Sequence, residues 1–149
     1  MRAFIAVTGL LVVIALPGVS GAGTGSKPDI SLSLTYPGAG PGGSTGTWLF
    51  GPWIVSTEQL TVTMKHSPQL KFVGSSRTPT TRSATTLVWR YTYPRVTTGL
   101  CCSRKGLSIR VHIPAARKGT RFPWSITAVA KNATGTTTRV KSSTFKVTG

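Results

Sequence analysis

Acidic residues are nearly absent from this chain: Asp29 and Glu58 stand alone against 18 lysines and arginines in 149 residues. Chemistry that needs paired carboxylates for proton transfer has almost nothing to draw on. Histidine is as scarce, with His66 and His112, and the two cysteines, Cys101 and Cys102, are neighbours. Zinc needs three or four ligands at metal spacing, and these four residues do not supply that pattern. No Gly-x-Ser-x-Gly elbow occurs either. A Ser-His-Asp relay is the one arrangement that counting leaves standing, so an enzyme is the weakest reading. The sequence offers no catalytic residue, no metal ligands and no cofactor-binding residue.

Long apolar runs are missing too. The longest, Ala3 to Leu16, is about 14 residues, short of the roughly 20 that a membrane-spanning helix needs. It follows Arg2 and precedes Pro17-Gly18 and the small residues Ser20-Gly21-Ala22. That order of charge, apolar stretch and small-residue site is the order of a secretory signal peptide. The expectation is a signal over residues 1–22, one domain over 23–149, and a secreted, extracellular product with no integral membrane span after cleavage. No anchor is expected, since neither a lipobox cysteine nor a second hydrophobic segment follows.

Loss of Arg2 would leave 17 basic and two acidic residues, a net charge of +15. The basic residues are scattered from Lys27 to Lys146 without a run of five or six, which argues against a disordered basic tail. A charge of this size keeps a domain soluble and draws polyanions to it. Outside a cell these would be anionic surface polymers, lipid head groups, acidic glycans or released nucleic acid. A general adaptation to export explains the charge equally well.

Helical periodicity is absent, and period-two alternation is everywhere. Ile30, Leu32, Leu34 and Tyr36 alternate with Ser and Thr; Pro37 to Gly46 reads as a mobile Gly-rich loop. Trp48 to Val55 reads as a strand broken by Gly51-Pro52, with a bulge or at an edge, because proline cannot donate to a central ladder. Leu60 to Met64 is a separate strand and Leu70 to Val73 a shorter one, and Arg77 to Ala84 is a connection. Leu87 to Tyr93 ends at Pro94, and Leu107 to Ile113 ends at Pro114. Trp124 to Ala130 and Thr136 to Val147 follow. The spacing predicts an all-β, Ig-like antiparallel β-sandwich of seven to eight strands. Trp89, Tyr91, Ile109, Val111, Trp124 and Ile126 are its expected core.

The order Leu60–Met64, then Ser67-Pro68-Gln69-Leu70-Lys71-Phe72-Val73, then Leu87-Val88-Trp89, Leu107–Ile113 and Ile126–Ala130 resembles a known pattern. It is similar to the Ig-like repeat domain of unknown function from bacterial secreted and surface proteins, over roughly residues 59–131. The Asn-x-Gly that often follows that family's first strand is missing, and His66-Ser67 replace its usual acidic residue and Leu before the proline. The resemblance implies a fold and an exterior location, and it transfers no catalytic residue.

Cys101 and Cys102 lie in the loop Gly99 to Gly106. Three fates are open: a vicinal disulfide, a bond to another chain giving a disulfide-linked dimer, or inert thiols. Asn132-Ala133-Thr134 forms a glycosylation sequon, expected to be accessible near the turn at Gly135. Trp48, Phe50 and Trp53 read as core at a sheet edge, with an exposed aromatic platform for sugar or partner as the alternative. The whole reads as a secreted, non-enzymatic β-sandwich module that binds or structures the cell surface or extracellular matrix. Its partner would be an anionic surface polymer, a glycan or a protein. The alternative is a cationic effector acting on anionic envelopes or nucleic acid by charge.

Overall fold

A computed structural model describes residues 25–101 and 106–148, so the expected signal segment and Cys102 lie outside the described residues. Nine strands follow one another, with no helix among the described residues. They are β1 (Asp29–Thr35), β2 (Ala39–Gly40), β3 (Thr45–His66), β4 (Lys71–Ser75), β5 (Thr81–Arg82), β6 (Thr86–Leu100), β7 (Leu107–His112), β8 (Arg121–Asn132) and β9 (Gly135–Val147). Every ladder is antiparallel except the two-residue pairing of β2 with β9.

The 22-residue strand β3 organises the whole. Its first half pairs with β1 through residues 49–55 and with β7 through 45–50, and β7 in turn pairs with β4. Its second half carries β8 on residues 59–66 and β6 on 59–65, the β6 ladder running on past the bend to residues 53–57, with β9 beyond β8 and β5 beyond β6. Between the halves, Ser56 adopts a left-handed φ of 49°, and the pairing with β6 shifts register between Thr57 and Gln59. A bulge of this kind bends a strand.

The bend folds the sheet over itself and brings the even-numbered side chains of both halves into one core. Trp48 and Phe50 from the first half join Leu60, Val62 and Met64 from the second, all fully buried. Trp48 meets Trp124 of β8 edge-on at 6.0 Å, and Tyr36 caps Trp124 at 4.7 Å. The result is an all-β sandwich. Trp89, Tyr91, Ile109, Val111, Trp124 and Ile126 are all buried in it. Trp89 is 1% exposed, and its indole N–H donates to Arg77 O at 2.9 Å.

Four boundaries differ from the alternation pattern. The strands around Trp48–Val55 and Leu60–Met64 are one strand, continuous through Gly51-Pro52. Pro52 is tolerated there because the β6 ladder stops at Leu100; its carbonyl accepts from Cys101 N at 2.9 Å, and its missing N–H falls where that ladder ends. Pro94 likewise sits inside β6, in the segment between Thr92 and Val96 that bulges opposite Glu58. The loop Pro37 to Gly46 contains β2, and the connection Arg77 to Ala84 contains β5, so nine strands replace the expected seven to eight.

Candidate functional site: the outer face of the first layer

Strand alternation puts the odd residues of β3's first half on the outside. Leu49, Gly51 and Trp53 lie in line there, with Trp48, Phe50 and Ile54 turned into the core. Trp53 is 48% exposed, and directly opposite it on β6 stands Leu100, 45% exposed. Leu49, 47% exposed, lies four residues from Trp53 on the same face. Gly51 between them leaves the surface flat, with only Ser33 within 4.0 Å of where its side chain would start. On the other flank β1 presents hydroxyls in register: Ser31 opposite Trp53, Ser33 opposite Gly51, and Thr35 opposite Leu49.

The same face becomes cationic along β3. Ser108 lies opposite Leu49, Arg110 opposite Thr47, and His112 opposite Thr45. Beyond β7, Lys71 stands opposite His112, and Gly74 lies opposite Arg110. A side chain on Gly74 would begin 3.3 Å from the Arg110 guanidinium, so the glycine lets that group lie along the sheet. Thr47 and Trp53 are six residues apart, about 20 Å in a strand. The face is therefore a stripe, apolar and aromatic at one end and basic at the other.

The aromatic trio of the sequence is thus split. Trp48 and Phe50 are core, and Trp53 is the exposed member. Alternation alone signals this, since Trp48 and Trp53 have opposite parity with no bulge between them. The remaining candidate residues do not gather. His66 faces inward, one ring nitrogen 2.8 Å from Ser67 O, whereas His112 faces outward. Asp29 is taken by Arg139 at 3.2 Å. No cluster of three His, Cys, Asp or Glu side chains occurs among the described residues. Cys101 is buried at the end of β6, beside Pro52.

Asn132 corrects the sequence expectation. The sequon asparagine is 7% exposed, and its side-chain amide donates to Ser26 O at 2.8 Å and Ser56 O at 2.6 Å. Its Oδ1 accepts from Thr134 N, Thr134 Oγ1 and Gly135 N. A glycan needs that amide nitrogen free and accessible, and the fold has already engaged it.

No family model matches this chain, and no curated protein matches it. Among solved structures it is similar to AggA, the major subunit of aggregative adherence fimbriae type I from Escherichia coli. That likeness has 10% identity, 80% of this chain, 95% of that one and a TM-score of 0.43. A PapD-like domain of human CEP192 aligns at 16% identity over 97% of each chain with a TM-score of 0.38. AvmM, described as catalysing macrocyclization in alchivemycin A biosynthesis, aligns at 10% identity over 82% and 88% with a TM-score of 0.39. Likenesses this distant assign neither family nor function.

Proposed function

We propose that the protein is a secreted, non-catalytic β-sandwich module that binds an acidic glycan or other anionic surface polymer through the outer face formed by β1, the first half of β3 and β7. The observation that carries this reading is Trp53, half exposed on a flat strand beside Leu100 and in line with Arg110, His112 and Lys71. An exposed indole supplies a large rigid contact surface with little rotamer entropy to lose. The hydroxyls of Ser31 and Ser33 can orient a sugar, and the basic end of the stripe suits its carboxylates, sulfates or phosphates. The signal-like order of Arg2, the apolar run Ala3 to Leu16 and Ser20-Gly21-Ala22 supports an exterior setting.

Titration of the mature chain with acidic and neutral oligosaccharides tests this. Acidic ligands should bind saturably, and Trp53→Ala should weaken them about tenfold, roughly 1.4 kcal/mol. Unchanged affinity in Trp53→Ala would reject the stripe as the site. The alternative, a cationic effector, is favoured by the dispersed charge. It expects binding of nucleic acid or any polyanion that collapses steeply with salt and ignores Trp53.

The cysteine pair belongs to the same exterior reading. With Cys101 buried and no distant cysteine in the chain, the pair is expected to close on itself or join two chains. Thiol labelling without reductant should find no free thiol, and non-reducing electrophoresis separates ring from dimer. Two labelled thiols on a folded monomer would overturn this.

A further inference from the structure

The sandwich is open along one side, between β1 and β9. β1 pairs with β3 on one edge, and its other edge enters no ladder among the described residues. β9 pairs with β8 along its length, and among the described residues its outer edge is paired only at Lys146 and Val147, with β2. The two free edges are held together at one end, where Thr137 Oγ1 donates to Pro28 O and Arg139 reaches Asp29. Beside that contact they enclose a cleft of about 430 Å³, whose lining includes Ile30, Leu32, Leu34, Arg139, Val140 and Lys141 together with Asp29 and Ser31.

The lining differs from that of an ordinary sheet edge. Ile30, Leu32 and Leu34 sit on the core side of β1, opposite Ile54, Pro52 and Phe50, and the two leucines are only partly buried. Arg139 and Lys141 lie opposite Ala128 and Ile126, two fully buried residues, and residues opposite each other share a face. Both cations therefore stand on the core-facing side of β9, where apolar side chains would be expected. Asp29 answers Arg139, and Lys141 has no acidic partner among the described residues.

The geometry points to a strand-binding slot that takes an extended, acidic and apolar segment of a partner protein. Two unpaired edges offer alternate N–H and C=O groups, which only a polypeptide backbone can match in register. From Arg139 to Phe145 the unpaired edge runs about 20 Å, room for a strand of roughly six residues. Apolar side chains of the segment would cover Leu32 and Leu34, and its carboxylates would meet Lys141 and Arg139. Charge decides the source. A second copy of this chain brings two carboxylates and 18 cations, so inward-facing Arg139 and Lys141 repel it. The slot shares β1 with the aromatic stripe, since Ser31 opposite Trp53 also lines the cleft, but it uses the free edges and Lys141 rather than the indole, so Trp53→Ala tells the two readings apart.

Hydrogen exchange with a pool of octapeptides alternating Val, Ile or Leu with Glu or Asp tests the assignment. Bound peptide should slow exchange at least tenfold at β9 residues 140–144 and β1 residues 30–34. Lys141→Glu, an exposed substitution, should weaken the peptides at least tenfold. Lysine in place of the acidic residues, or backbone N-methylation at alternate positions, should abolish binding, while Trp53→Ala leaves it unchanged. No protection from any member of the pool would overturn the proposal. So would equal binding by the lysine peptides, by the N-methylated peptides or by polyglutamate.

Discussion

At the scale of single residues, Asn132 ties together three segments far apart in sequence. It joins the chain entering β1, the bend of β3 and the β8–β9 turn through five hydrogen bonds. Ser56, whose carbonyl it holds, is the non-glycine residue in the left-handed region among the described residues, a conformation that survives only where its surroundings insist on it. Asn132→Ala should cost about 2–4 kcal/mol in urea unfolding, because buried partners are left unsatisfied. Tyr91 shows the opposite case: its hydroxyl is buried without a protein partner, and burial pushes its pKa up to about 12. The folded form keeps the proton longer than the unfolded chain, whose tyrosine ionises near 10. This contribution to stability is therefore full below about pH 10 and fades as pH rises through 12. Tyr91→Phe should remove that part of the alkaline loss and leave stability at pH 7 unchanged or slightly raised, measured by denaturation at both pH values.

At the scale of elements, the alternation of Leu87, Trp89, Tyr91 and Tyr93 was enough to place the centre of β6 and its inward face. Trp89→Ala should lower stability by about 3–5 kcal/mol, the range for removing a large core aromatic, read from thermal or urea unfolding. The ends of elements were harder to see. Proline at 52 and 94 marks a break to any local reading, and each is tolerated only because a ladder stops or bulges beside it. That information lies on a neighbouring strand some 40 residues away. The two-residue strands β2 and β5 have no pattern of their own and exist only by pairing. For the site, parity distinguished Trp48 from Trp53 in principle. The basic end of the stripe depends on β7 and β4 lying beside β3, which no local spacing reveals. The buried state of Asn132 was illegible for the same reason, since its partners are 76 and 106 residues away.

At the scale of the whole molecule, charge works against the fold. Arg121 and Lys146 stand directly opposite each other on β8 and β9, and like charges so placed repel. With a net charge of +16, compaction brings cations together that few carboxylates can offset. Stability should therefore rise as sodium chloride is raised from low ionic strength, since exposed charges are screened within about 10 Å at 0.1 M. A melting temperature that falls over that range would show that specific pairs outweigh the repulsion.

Because one strand belongs to both layers, neither layer is a unit that can open alone. Loss of β3's first half strips β1 of its ladder and leaves β7 only the short β4, and loss of its second half takes most of the β6 ladder and leaves β8 only β9. Sandwiches with separate sheets can part along the interface between them; here the interface is crossed by covalent backbone. The protein should behave as a single cooperative unit. The slowest-exchanging amides near Trp48 and near Val62 should then open with one shared free energy. Assembly of such a chain has to wait for contacts distant in sequence, which makes it slow. Once formed, it leaves a protease or a pulling force no half-unfolded domain to seize.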